Sequence, residues 1–495
     1  MDIRRIPLLN RLFASGNTPP VAGAHDLPTD YTVQEICESI EHLVEQLVAV
    51  RQENQLALRQ TATSLYAQDA ASAPYITRLE QHYLALPPYV SSVSARLIAA
   101  ISAYREELGE TYLHCVSGAM QQGESALLLL LTQRALYHHG MQMKWLWLRY
   151  QAIPAYLWSR LHKLYGIAEK HRFARTALPL PSPDQPHASC ETLYLRPQIL
   201  HSLRPDTLLP REIELASRWI ARWGQSVLLD DGLMSEKHSY GVDLKGRHAP
   251  QPLAALSEPG NYRYWGAGLM LAAMHAQHDE SANSMQQKYE GWRGALWDKV
   301  VNSWSGRAPM RRHPRRLLDN KHTELFLGFD QIHQQAESPL PQLSGLQRCQ
   351  LRDESTEGYC VMVDIAQGMQ LEINALVGLA AGRQLLIGMV CRLRRHDNGW
   401  IEVGIRRLAA HAVPVKLESN ATSHTVDALY VALAGITTTP RRCVLVPASH
   451  AGLGGPLRLL SKGRRHLIRL RPPIRVTHDY VLADFDSIAP EAAAA

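Results

Sequence analysis

Two short runs of this 495-residue chain carry side chains suited to gripping a small anionic purine. The first is Arg311-Arg312-His313-Pro314-Arg315-Arg316, a doubled R-x-x-x-R that matches Arg311 with Arg315 and Arg312 with Arg316. The second is Asp353-Glu354-Ser355-Thr356-Glu357-Gly358, a D-x-S-x-x-G turn. Guanidinium groups pair bidentately with phosphate oxygens and with the O6/N7 edge of guanine, and they stack on purine faces. Asp and Ser add acceptors and donors at a tight turn, and the Gly lets backbone and ligand come close. The combination suits a doubly charged guanine nucleotide.

The elements around these runs decide how they can be used. Pro314 disfavours a helical conformation at His313, so the arginines do not form one helix face. The run stands where a helical texture gives way to a β texture. Short alternating or β-branched segments follow at residues 323–329, 347–352, 358–365, 371–376, 384–393 and 400–406. Cys349 and Leu351 alternate before the Asp-Ser-Gly turn, and Tyr359, Val361 and Val363 after it. The turn therefore joins two strands at a barrel rim. Further clusters at 442–447 and 466–470 and a strand near 476–485 extend or duplicate this β region.

Upstream the periodicity is helical. Ile36, Ile40, Leu43, Val44, Leu47 and Val50 recur at three- and four-residue steps within a helix over 32–68. A second helix over 73–86 stops at Pro87-Pro88, and others cover 90–108, 111–138 and 141–172. Gly109 and Gly140 are read as stops, and Pro154 as a kink or a new start. Prolines 179, 181, 183 and 186 mark a linker. Pro210 opens a helix through Trp219 and Trp223, residues 226–264 are irregular or partly β, and 265–278 and 285–303 are helical. No fixed repeat is present.

The expected fold class is multidomain α+β: all-helical N-terminal and middle regions, then an antiparallel β-barrel and a β-rich C-terminal segment. The expected divisions are a loose N-terminus 1–30, a helical domain 31–177, a Pro-rich linker 178–205 and a second helical region 206–304. A barrel over 305–420 follows, then a β-rich segment 421–489 and a tail 490–495. This length requires several cores. A formal charge of +6 is small for it and is not the footprint of a dedicated nucleic-acid binder. Seven scattered cysteines without C-x-x-C fit a reducing compartment and give no zinc site. The apolar run 126–131 is too short to span a bilayer, and the start lacks a secretory signal, so a cytoplasmic protein is expected.

In order and strand context these motifs resemble the PilZ domain, a β-barrel receptor module for the bacterial second messenger cyclic di-GMP. The family pattern places R-x-x-x-R before the first strand and D/N-x-S-x-x-G after the second, with a later V-G-I-like strand, here Val403-Gly404-Ile405. The resemblance covers residues 305–420 and implies that Arg311, Arg312, Arg315 and Arg316 contact phosphates and guanines. It makes Asp353, Ser355 and Gly358 the rim contacts. Arg312 and Arg316 are taken as the paired readers, with Arg311 as an additional contact. The long spacing between the motifs is assigned to an inserted Pro-containing loop over 334–346. Arg348 and Arg352 form another R-x-x-x-R, set aside because it reads as strand and abuts the turn. The upstream layout, with Trp304-Ser305-Gly306-Arg307 leading into the arginines, also resembles long bacterial PilZ proteins with helical N-terminal regions.

The implied function is a cyclic di-GMP receptor that changes the packing of its helical domains and acts on motility, biofilm or exopolysaccharide through a protein partner. No catalytic or phosphate-loop motif appears, so no enzyme, cofactor or metal is expected. One alternative is an interaction scaffold with a degenerate, non-binding barrel. Another is an RNA- or DNA-binding protein using Arg311–Arg316 with Lys462-Gly463-Arg464-Arg465; small net charge and the lack of interleaved aromatics count against it.

Overall fold

The computed structural model describes residues 32–52, 58–86, 92–182, 186–256, 260–285, 292–305, 314–337, 347–364, 371–381, 384–419, 425–433, 441–461 and 463–488. They fall in two compact units, Met1–Pro309 and Met310–Ala495. The expected loose N-terminus, the C-terminal tail, Arg311 and Arg312 lie outside the described residues.

The first unit is helical, with α1 (Val33–Gln52), α2 (Leu58–Ala85), α3 (Ser92–Gln122), α4 (Ser125–Leu148) and α5 (Ala155–Lys170) in succession. Strands β1 (Leu178–Pro179) and β2 (His187–Ala188) pair before α6 (Cys190–Ser202) and α7 (Pro210–Trp223). A three-stranded sheet of β3 (Tyr240–Asp243), β4 (Gln251–Pro252) and β5 (Tyr262–Trp265) precedes α8 (Gly268–Met285) and α9 (Trp292–Trp304). One hydrophobic core runs from Ile36 to Trp304. Helix α4 is its axis: Leu127 through His139 are all buried, as expected of a helix packed on every side. No helix among the described residues is long and apolar enough to cross a membrane.

Several boundaries differ from the sequence reading. Helix α3 passes through Gly109 because that glycine serves packing: a Cβ there would lie 2.7 Å from His139 Nδ1 on α4. The break comes instead at Gly123, with φ +70°. Helix α2 continues through Pro74, since Leu65, Tyr66, Ile76 and Leu79 on both sides are buried. The stretch read as a linker contains α6, capped where Thr192 N donates to Ser189 Oγ at 3.1 Å and buried from Cys190 to Leu195.

In the second unit the strands are β6 (Arg316–Leu327), β7 (Gln347–Glu354), β8 (Gly358–Asp364), β9 (Leu376–Ala381), β10 (Gln384–Arg395) and β11 (Trp400–Ser419). Helix α10 (Gly328–Glu337) lies between β6 and β7. Every pairing is antiparallel, and the circuit β6–β7–β8–β11–β10–β9–β6 closes, so this six-stranded barrel has no edge. The remaining strands are β12 (Thr425–Leu433), β13 (Arg441–Pro447), β14 (Pro456–Ser461), β15 (Arg464–Val476) and β16 (Tyr480–Ser487).

These five close a second ring on the far half of β11. Lys416–Ser419 pair with β14 on one side, and Lys416–Glu418 with β12 on the other. The circuit continues through β13, β16 and β15 back to β14. The 20-residue β11 thus belongs to both rings. Val415, Leu417, Ala428, Val444, Val446, Leu457, Ile468 and Val481 cluster in the second ring. Phe329 and Ile332 of α10 join Leu376 and Ile387 to Leu429, Leu445 and Leu482 in one further cluster. The expected succession of helical regions, antiparallel barrel and further strands holds. The sequence reading missed α10, the first part of the presumed loop 334–346 being its last turn.

Candidate nucleotide-binding face

The Asp-Ser-Gly turn is the hairpin between β7 and β8. Ser355 N donates to the Gly358 carbonyl at 2.8 Å, and Gly358 N donates to Ser355 Oγ at 3.2 Å. The glycine is demanded by a close approach: a Cβ at Gly358 would fall 2.1 Å from the Ile405 carbonyl oxygen on β11. Ser355 and Gly358 therefore shape the rim. Asp353 stands just below, with its side chain 9% exposed, and accepts from Arg315 Nη1 at 3.1 Å. Arg316 opens β6 opposite Glu354 and is 77% exposed, 3.7 Å from that carboxylate. Thus Arg315 is held at the turn by a mostly buried acid, while Arg316 projects into solvent.

The sheet register continues this site across the barrel's outer face. Asp353 pairs with Cys360, Cys360 with Gly404, and Gly404 with Arg392, forming one row over β7, β8, β11 and β10. In the adjoining position Glu402 is a hub, only 6% exposed. It accepts from Arg352 Nη1 at 2.6 Å and from Arg392, and His396 Nε2 lies 3.8 Å away. Arg392 also donates to Cys360 Sγ at 3.7 Å. Burial, the Glu402 and Asp353 carboxylates adding to it, pushes the Cys360 thiol up to about 11, so it stays protonated. Near the rim Arg407 hydrogen-bonds the Tyr359 hydroxyl and lies over its ring, 5.0 Å from the centroid.

Comparison with known families locates a relationship at the other end of the chain. Residues 29–233 match the family model of the cyclic-di-GMP receptor FimW, N-terminal domain. The match covers α1 to α7 and lies wholly within the helical unit, upstream of the barrel motifs. No curated protein and no solved structure matches the chain.

The FimW-like region is organised around buried charge. Asp69, 1% exposed, accepts from the Tyr112 hydroxyl at 3.0 Å and lies 3.2 Å from His138 Nε2 and 3.5 Å from Arg134 Nη1. Burial alone would raise its carboxyl; His138, Arg134 and Tyr112 outweigh that and lower it to about 2. Glu80 continues the chain of contacts, accepting from Arg105 Nη2 at 2.8 Å and Trp145 Nε1 at 3.0 Å. Each side chain meets a charged or polar partner, while Asp69 Oδ1 and Arg134 Nε make no hydrogen bond among the described residues. The network fixes the relative register of α2, α3 and α4, and offers no metal cluster among the described residues.

Of the residues expected at the site, Arg315, Asp353, Ser355 and Gly358 gather at the rim, and Arg316 stands beside them. Sequence reasoning missed Arg352, Arg392 and Glu402. Arg352 was visible as the end of the second R-x-x-x-R. Arg392 and Glu402 carried no local signal, because only the register of β10 on β11 brings them to this face.

Proposed function

We propose that the protein is a cyclic di-GMP receptor whose ligand lies on the outer face of the first barrel, at the β7–β8 rim. The Arg315–Asp353 pair carries this reading: a guanidinium already positioned by a mostly buried carboxylate, beside a turn shaped by Ser355 and Gly358. The receptor family named by the match over 29–233 supports the same ligand. Arg315 and Arg316 supply guanidinium groups to phosphate and guanine, with Arg311 and Arg312 completing the set from the adjoining run. Since Asp353 holds Arg315, the reading gives Arg315 the positioned contact and Arg316 the mobile one.

The arginine run begins one residue into the second unit, which starts at Met310. Drawing that run onto the barrel restricts the connection to the helical unit, so ligand can bias the arrangement presented to a protein partner. Such a bias requires the ligand to favour one arrangement over another. Motility, biofilm or exopolysaccharide control in the cytoplasm is the output we assign to it.

Calorimetric titration with cyclic di-GMP tests the reading. Wild type binds, and Arg315→Ala and Asp353→Asn each weaken binding at least tenfold, since each removes a charge-assisted contact or its anchor. Absence of binding by wild type overturns the function. Unchanged affinity in both variants overturns the assignment of the rim.

A further inference from the structure

The outer face holds a second arginine pair that the motifs do not include. We infer that Arg352 and Arg392, gathered on Glu402, form the opposite jaw of the same nucleotide site, an inference that rests on the reading above. Three observations carry it.

The first is alignment. The row Asp353–Cys360–Gly404–Arg392 runs straight across four strands. At the usual strand spacing it spans about 14 Å. Its middle residues, Cys360 and Gly404, are buried, with the Arg392 side chain extending over them from the far end of the row. Arg315 stands at one end, and Arg392 at the other. A Cβ on Gly404 would come within 3.0 Å of Arg392 Cβ and 3.5 Å of its Nε, so the arginine lies over the glycine and reaches toward Cys360.

The second is backbone geometry. The β7–β8 register shifts between Leu351 and Asp353, which makes Arg352 the extra residue of a bulge. The β10–β11 register shifts between Val390 and Arg392, with Cys391 as the extra residue. Bulges re-aim side chains. Here the first puts Arg352 and Asp353 on one face, where each finds its own partner, and the second aligns Arg392 with Gly404.

The third is the hub. A carboxylate 6% exposed on an outer barrel face is costly unless paired, and Glu402 receives two guanidinium groups and lies near His396. Two arginines on one carboxylate leave a net positive charge. Arg352 is 54% exposed and presents donors for a phosphate, whereas Arg392, 19% exposed, presents a guanidinium surface on which a purine can stack. A ligand with two phosphates and two guanines can use both jaws, whereas a mononucleotide held at Arg315 reaches only one.

The test is calorimetric titration of the full chain with cyclic di-GMP, comparing wild type, Arg315→Ala, Arg352→Gln and Arg392→Lys. Lysine keeps a cation beside Glu402 while removing the planar, bidentate group. Thermal melts confirm that each variant folds, and the exposed Arg352 supplies a second variant should Arg392→Lys melt early. The expected result is a roughly tenfold weakening for both Arg352→Gln and Arg392→Lys. Loss of affinity in Arg315→Ala alone, with the other two at wild-type affinity, overturns the second jaw and leaves the rim reading intact. No binding by wild type overturns both.

Discussion

His139 gives the helical unit a calculable acid sensitivity. It is fully buried, its Nδ1 lies 3.4 Å from Gln142 Oε1, and the absence of a side chain at Gly109 is what lets α3 close over it. Burial foremost, with Arg160 and His138 adding to it and Gln142 opposing, lowers its pKa from 6.5 to about 3. The folded state therefore refuses a proton that the unfolded chain accepts below pH 6.5. Stability rises with pH wherever the unfolded state binds more protons, so this contribution is complete above 6.5 and drains away as pH falls toward 3. Between pH 7 and 5 the unfolded chain gains about 0.7 proton at this position, and the integrated effect is about 2 kcal/mol. That is a sizeable part of the roughly 5–15 kcal/mol that stabilises a typical domain. Buried Glu107, Glu191 and Glu212 and half-buried Glu110, with carboxyls raised chiefly by burial, act in the opposite sense. Comparison with His139→Asn cancels them, and asparagine keeps a donor toward Gln142. Nine of the ten tryptophans lie in the first unit, so urea unfolding followed by tryptophan fluorescence reports on it. The stability difference between wild type and variant should change by about 2 kcal/mol from pH 7 to 5, to the wild type's disadvantage. Parallel pH profiles would falsify the assignment of a buried neutral imidazole.

Two glycines give further tests. Gly109→Ala forces a methyl against the buried His139 ring; urea melts should show a net loss of about 1–2 kcal/mol despite alanine's better helix propensity. Gly358→Ala must displace the β7–β8 hairpin from the Ile405 carbonyl, costing about 1–3 kcal/mol and weakening cyclic di-GMP binding along with stability; retained affinity at wild-type stability would contradict the close approach.

The division into helical and β regions was legible because hydrophobic period and turn chemistry are local properties. Residues 36–50 repeat every three to four positions, and Val361 and Val363 alternate, whatever lies elsewhere in the chain. The rim was legible for the same reason, since Asp353, Ser355 and Gly358 are neighbours on one hairpin. Gly109 shows where this stops: a glycine demanded by another helix looks the same in sequence as one that ends its own. Arg392 and Glu402 show it again, because ten residues and a hairpin separate them, and a one-residue change of register would send one to the other face. Helix α10 was obscured by the prolines that follow it at 339 and 341, although Phe329, Ile332 and His333 have helical spacing.

The sharing of β11 makes the two rings one cooperative structure rather than a barrel with an appendage. Gly404 lies on the candidate nucleotide face, while Leu417, farther along the same strand, lies in the second ring's cluster. Phe329 and Ile332 of α10 pack in a cluster completed by Leu429, Leu445 and Leu482, so the first ring's helix depends on side chains from the second. Leu429 is fully buried, and Leu429→Ala should cost about 2–5 kcal/mol by cavity formation. If the rings unfold together, that loss is felt at the rim, and amide hydrogen exchange in β7 and β8 accelerates in proportion to that in β12 and β13. If exchange quickens only in the second ring, the shared strand does not couple them. Cyclic di-GMP provides the reciprocal measurement: a ligand that binds only the folded unit must slow exchange in β12 and β13 as well as at the rim. Protection confined to β7, β8 and β10 would mean that the nucleotide face is held by the first ring alone.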